Sequence, residues 1–183
     1  MNGKTRLSIS AAAVTAAALI GGAVLFHGAA KVGVAGPGTS EVSLSVAKTY
    51  STLSQLRHDA DVVALVRVDG APRASARIAD VPTVDVPLLI ERVIKGDAAA
   101  GDRLVLAQVG DLEGKVRIAE PVPPILQEAK RYVVYLNRQF PDQPQFMITG
   151  VAGVYAQSPD GGHFTRVGDV SPELPASSAL HQF

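Results

Sequence analysis

The stretch IERVIKGDAAAGDRLVLAQ, Ile90 to Gln108, sets two runs rich in branched aliphatic residues on either side of KGDAAAGD. Runs of that composition suit pleated, half-buried strands. The connection between them is either a ligand loop or a turn. A phosphate cradle needs glycines that feed a helix N-terminus, usually with a lysine after them. Here Lys95 precedes Gly96, and a strand pattern follows Gly101. A calcium loop needs alternating oxygen ligands and a late glutamate, which GDAAAGD lacks. Gly96 and Gly101 offer positive φ at the two corners, and Asp97 and Asp102 suit turn starts. The stretch therefore reads as two strands joined by a structural turn.

Upstream, VDVPLLIERVIKG puts Val84, Val86, Leu88, Ile90 and Ile94 on one face, with Arg92 interrupting, and Asp85, Glu91 and Lys95 on the other. Pro87 has no N–H to give a ladder, which marks an edge or a bulge. DVVALVRVDG alternates in the same way. Val62, Ala64, Val66 and Val68 form an apolar face, while Val63, Leu65, Arg67 and Asp69 run toward charge, so the strand faces the core on one side and becomes solvated toward its end. Before it, TYSTLSQLRHDAD has the capping and spacing of a short helix, with Ser51 or Thr52 as N-cap, Gln55 completing a capping box, and Leu53, Leu56 and Ala60 on one face. The loop APRASARIADVPT, residues 71–83, is the longest irregular stretch of the domain.

Downstream, a proline-bounded turn with one helical turn at Ile125–Lys130 leads into the strongest strand pattern, Tyr132–Leu136. Two further strands follow, joined by a tight hairpin at SPDGG. The tail, residues 170–183, contains Pro172, Pro175 and a serine pair and reads as loose. The expected fold is mainly β: a small five- to seven-stranded OB-like antiparallel barrel with one short N-terminal helix, or alternatively a β-sandwich. Its core is Val62, Val66, Val86, Ile90, Val134 and Leu136.

Residues 1–30 read as an export segment. Lys4 and Arg6 precede an uncharged run from Leu7 to Phe26, followed by small-x-small sites at Gly28-Ala29-Ala30 and Gly33-Val34-Ala35. Twenty helical residues reach about 30 Å, which fits a retained membrane anchor, while the alanine- and glycine-rich composition fits a cleaved signal peptide. In either case the targeting charges Lys4 and Arg6 stay in the cytoplasm and the rest lies outside it, anchored to the membrane or secreted. Residues 31–48 read as a flexible spacer and 49–169 as the folded domain.

Of 183 residues, 47% are hydrophobic and 19% charged, which supports a buried core. The absence of cysteine removes disulfides, thiolate metal sites and a cysteine nucleophile. Basic and acidic residues balance at 17 each, and the export segment holds two of the basic ones, so the domain lacks the cationic surplus of a nucleic-acid binder. His27, His58, His163 and His181 form no metal-binding spacing, and no cofactor is implied. No serine sits in a nucleophile elbow, and Glu91, Glu113 and Glu120 all read as exposed strand or turn residues. His58 beside Asp59 and Asp61 reads as a solvated helix end.

The order DADVVALVRV, VPLLIERVIKGDAAAGDRLVLAQVG, PPILQEAKRYVVYL and MITGVAGVYAQSPDG, spanning about residues 50–168, resembles uncharacterised exported bacterial proteins whose domain is similar to the OB-like barrel of the netrin-module and metalloproteinase-inhibitor group. The resemblance implies fold alone. The inhibitors of that group act through an N-terminal cysteine, which this chain lacks, so no functional residue carries over. The resulting expectation is a non-catalytic extracytoplasmic binding module for a protein or envelope component. A cryptic hydrolase and a structural subunit of a membrane complex are the alternatives. The one surface patch with recognition chemistry is Tyr155, Phe164 and Arg166 on the last hairpin, residues for which core packing is the commoner role.

Overall fold

A computed structural model describes residues 33–35, 39–42, 48–75, 81–118, 122–138, 144–150, 152–168 and 173–183; residues 1–30, read from the sequence as an export segment with Lys4 and Arg6, lie outside them. Among the described residues no helix is long and apolar enough to cross a membrane. The strands are β1 (Gly33–Ala35), β2 (Thr39–Val42), β3 (Val62–Val68), β4 (Arg73–Ala74), β5 (Thr83–Lys95), β6 (Arg103–Val109), β7 (Val116–Ile118), β8 (Arg131–Asn137), β9 (Met147–Ile148), β10 (Val154–Gln157), β11 (Phe164–Arg166) and β12 (Ser177–Ser178). One helix, α1 (Leu53–Asp59), precedes β3, and a 3₁₀ turn covers Leu180–Gln182.

Nine strands form one antiparallel sheet, ordered β12-β11-β10-β8-β3-β5-β4, with β6 on β5 and β9 on β8. The expectation of five to seven strands is corrected to this larger sheet, and the sheet does not close. At its nearest approach to closure, β6 meets the β9 region through an isolated parallel bridge between Leu106 and Phe146. Two hydrogen bonds make it, from Phe146 N to Val105 O at 2.9 Å and from Ala107 N to Phe146 O at 2.8 Å. Part of the stretch read as a spacer is also paired: β1 lies antiparallel to β2, and β2 parallel to β7, in a separate three-stranded sheet.

The expected core positions Val62, Val66, Val86, Ile90, Val134 and Leu136 are all buried, in a cluster with Leu88, Leu106, Leu126, Tyr132, Phe146 and Val154. A second cluster occupies the opposite face of β3 and β8. There Val63, Val133 and Tyr135 pack with Leu56 and Ala60 of the helix region and with Leu174 and Phe183. The second face of β3 is thus covered over Val63 and opens toward Arg67 and Asp69, at the end where the charge pattern placed solvent. The charged end is satisfied by a row of ion pairs, Arg131–Glu91–Arg67–Asp69–Arg103, that crosses β8, β3, β5 and β6. Exposed pairs of this kind set local order more than stability.

Two bulges explain the interruption at Arg92. The β3–β5 register shifts between Leu65 and Val66 and again between Val63 and Ala64. Each extra residue reverses the alternation, so Val93 joins the first cluster while Ile94 packs in the second. Ile94 therefore leaves the face the period-2 pattern assigned it. Pro87 lies inside the sheet, opposite the turn between β3 and β4, where no ladder amide is needed. Its carbonyl accepts from Asp69 N at 2.9 Å.

Residues 173–183 are not loose. β12 pairs with β11, and Leu174 and Phe183 are buried. Prolines and serines had suggested otherwise, but a sheet edge and an apolar pocket supply the partners that local propensity lacks. The helical turn expected at Ile125–Lys130 is instead a reverse turn closed by Lys130 N to Gln127 O at 3.3 Å, with Ala129 at φ 61°.

Candidate functional site

The connection after β5 is a structural turn, as its sequence implied. Gly96 and Gly101 have φ of 100° and 94°, and Asp102 Oδ2 accepts from Ala99 N at 2.8 Å. Its lysine has a specific task. Lys95 Nζ donates to the carbonyls of Arg57, His58 and Ala60 at 2.8, 2.9 and 2.7 Å, satisfying acceptors that the end of α1 leaves open. The Lys-Gly pair thus clamps the helix onto the sheet.

The patch Tyr155, Phe164 and Arg166 does not form a surface. Tyr155 and Phe164 are buried in the second cluster. The Tyr155 hydroxyl donates to Pro175 O at 3.2 Å, and Arg166 Nη1 donates to Leu174 O at 2.6 Å. All three hold residues 173–183 in place. The physical reason is the same as for Tyr132 and Tyr135, both buried although they alternate on β8: the sheet is covered on each side.

Neither domain histidine assembles a catalytic arrangement. His163 Nδ1 lies 3.6 Å from Asp160 Oδ2 in the exposed last hairpin, and the Ser158 hydroxyl is hydrogen-bonded to that same carboxylate, not to the imidazole. The Ser158 hydroxyl and then the Gly162 amide hold the Asp160 carboxyl below its ordinary range. This is the chemistry of a stabilised turn. His58 lines an open groove of about 500 Å³ with Lys48, Tyr50, Ser54, Gln55 and Asp59. Lys48 pairs with Asp59 across it, which lowers the Asp59 carboxyl and neutralises the groove's two opposite charges. Among the described residues no three His, Asp or Glu side chains come together to hold a metal.

A second groove, of about 490 Å³, lies between the segment entering β8 and the last hairpin. One wall is Pro124, Ile125, Gln127 and Lys130; the other is Ala156, Gln157, Pro159 and Val167, with Tyr132 between them. The first wall is held from below by Gln108, a buried amide near the end of β6. Its Nε2 donates to Pro123 O and Pro124 O at 3.0 and 2.7 Å, and its Oε1 accepts from Leu126 N at 3.1 Å. Prolines supply no amide of their own, so a side-chain amide serves the segment where strand pairing cannot. Tyr132 completes the frame by accepting from Gln127 N at 3.1 Å, and the turn is tied to β3 by Ala129 N to Val68 O at 3.1 Å. Ile125 settles over Gly110, where a Cβ would collide with its side chain. The result is a partly apolar trough with hydrogen-bonded walls and Lys130 at its rim, beside Arg131, whose charge is paired with Glu91.

The sequence reading missed this groove. The one signal it offered was polar Gln108 within LVLAQV, preceding the proline cluster PVPPIL. No protein-family model, curated protein or solved structure matches the chain.

Proposed function

We propose that the chain is a non-catalytic binding module outside the cytoplasmic membrane, and that it engages a protein or envelope component through the groove between residues 124–132 and the last hairpin. The observation that carries this reading is the framing of the groove. The Gln108 and Tyr132 side chains hydrogen-bond its first wall, and Gly110, lacking a Cβ, leaves the space that Ile125 occupies. Preorganised, partly apolar concavities with a few polar rim groups are the usual form of binding sites. The trough fits one or two apolar side chains of an extended segment, and the Lys130 ammonium beside it fits a neighbouring carboxylate.

Kinship in strand order with an OB-like barrel, here left open between β6 and β9, is part of the same proposal. Support comes from strand order: β3 pairs with β5, β5 with β6, and β8 with both β3 and β9, while the bridge of Leu106 to Phe146 is parallel. The placement outside the cytoplasm rests on Lys4, Arg6 and the uncharged run from Leu7 to Phe26.

The test is photo-crosslinking in intact cells that express the full chain. A photoreactive residue is placed at Gln127 or Gln157 in the groove, and at Arg92 or Glu113 as remote controls. Adducts confined to the groove positions support the reading. Adducts at all four positions, or none at 127 and 157, overturn it.

A further inference from the structure

The groove between residues 124–132 and the last hairpin has little main chain left to offer a ligand. On its first wall the amides of Leu126, Gln127, Ala129 and Lys130 already donate, to Gln108 Oε1, the Tyr132 hydroxyl, Val68 O and Gln127 O. The carbonyls of Pro124, Gln127 and Lys130 already accept, the last from Val68 N at 3.0 Å. Across the trough Val167 N donates to Val154 O at 3.0 Å, Ala156 lies between Thr165 and Tyr132 in the sheet, and Pro159 has no amide. A strand laid along these walls would find no ladder, so recognition by added-strand pairing does not apply here.

What remains free is a pair of side-chain donors. Tyr132 is only 4% exposed; its oxygen accepts from Gln127 N, while its proton has no acceptor among the described residues. Lys130, exposed at the rim, has no ion pair among the described residues, whereas neighbouring Arg131 is committed to Glu91. No carboxylate stands among the described residues that line the trough. A buried hydroxyl proton and an ammonium on one concavity call for a group that only accepts, and an ionised carboxylate is such a group. The rest of the trough, lined chiefly by Ile125, Ala156, Pro159 and Val167, suits an apolar side chain.

An internal Asp or Glu beside an apolar residue would satisfy these donors, but it would carry its flanking peptide groups into a trough without partners for them. A chain end avoids this cost, because its carboxylate is itself the last main-chain group. The protein's own end does not serve, since Phe183 is buried in the second cluster. We propose that the groove receives the C-terminal residue of another polypeptide, with its apolar side chain in the trough and its free carboxylate on the Lys130 ammonium and the Tyr132 hydroxyl. This rests on the groove being the binding site and adds the chemistry of its occupant.

The test is fluorescence anisotropy of the full chain with N-terminally labelled tetrapeptides, Ala-Gly-Gly-Leu and Ala-Gly-Gly-Phe, each as the free acid and as the C-terminal amide. The free acids are expected to bind about tenfold tighter than the amides, the size of a charge-assisted hydrogen bond. Lys130→Ala should remove that advantage and Tyr132→Phe should reduce it, while Arg92→Ala, at an exposed position outside the groove, should keep it. The comparison of acid with amide on the parent chain needs no variant, so a misfolded variant cannot decide it. Equal binding of acid and amide, or an advantage that survives Lys130→Ala, overturns the proposal. Decanoate that binds tighter than either acid, with the same dependence on Lys130, overturns it in favour of a free fatty acid. Absence of binding by both acids overturns it too, and crosslinks at positions 127 and 157 would then still uphold the groove as the site of a different ligand.

Discussion

The Gly96 backbone rests against the carbonyl group of Asp61, so that a Cβ on Gly96 would overlap the Asp61 oxygen and lie 3.1 Å from Val62 Cα. That contact brings the end of β5 under the end of α1, where Lys95 reaches the helix carbonyls. The turn's second glycine differs. Gly101 has a similar φ, but nothing lies within 4 Å of a Cβ placed there.

Gly96→Ala and Gly101→Ala therefore separate backbone strain from close approach. Gly101→Ala meets only the left-handed φ and is expected to cost about 1–2 kcal/mol. Gly96→Ala adds a clash with backbone and is expected to cost about 2 kcal/mol more. Urea denaturation of the two variants measures the difference, and equal costs would remove the argument from contact.

Gln108→Leu is expected to destabilise the domain by about 2–4 kcal/mol, because the Leu126 amide and two proline carbonyls lose their partner. Its distinguishing effect is local. Amide resonances of Ile125 and Gln127 should shift and broaden while those of β3 stay in place. A uniform loss of stability with an unaltered groove would show that Gln108 contributes only to the core.

Val133 and Val134 are adjacent on β8, and both are fully buried, one on each face. Val133→Asp and Val134→Asp should each abolish cooperative folding, since an unpaired buried carboxylate costs several kcal/mol. Circular-dichroism melts decide this. A cooperative melt near the parent's for Val133→Asp would mean that α1 and residues 173–183 do not cover that face.

Asp111 accepts from the amides of Glu113, Lys115 and Val116 at 3.0, 2.6 and 2.8 Å, and these bonds hold its carboxyl below the ordinary range. A depressed native value means that the unfolded chain takes up the proton first. The stabilisation is complete above the ordinary carboxylate value of about 4 and is lost as pH falls through the native one. Asp111→Asn should therefore flatten stability against pH below about 4, and a carbon-13 titration of the Asp111 carboxyl should give a midpoint below that of a free peptide. An unshifted midpoint would count against the turn geometry.

Local patterns were sufficient for the individual elements. The Thr52 cap, with its hydroxyl accepting from Gln55 N at 3.2 Å, the turn at Gly96 and Gly101, the hairpin at SPDGG and the alternating core of Val62, Val66, Val86 and Ile90 are all set by residues close in sequence. Short-range rules about capping, positive φ and period-2 alternation suffice for such features. The groove was not legible, because its walls come from residues 124–132 and 156–167, and its main strut, Gln108, was one polar residue in an apolar strand.

Tertiary structure alone decided the second face of the sheet. Period-2 alternation states that Val133 and Val134 point apart, and it is silent on whether another element covers each side. Here α1 and residues 173–183, far apart in sequence, meet over Val63, Val133 and Tyr135 and turn an expected surface into core. For the same reason Tyr155 and Phe164, read from the hairpin alone as a patch, became the walls of the pocket that receives Phe183. The sequence by itself determined the central strands and their turns as chemical patterns. Which faces are wet was settled by long-range packing, whose gain depends on surfaces meeting in space and leaves only a faint trace, the unbroken apolar runs VVALV and YVVYL, in the order of residues.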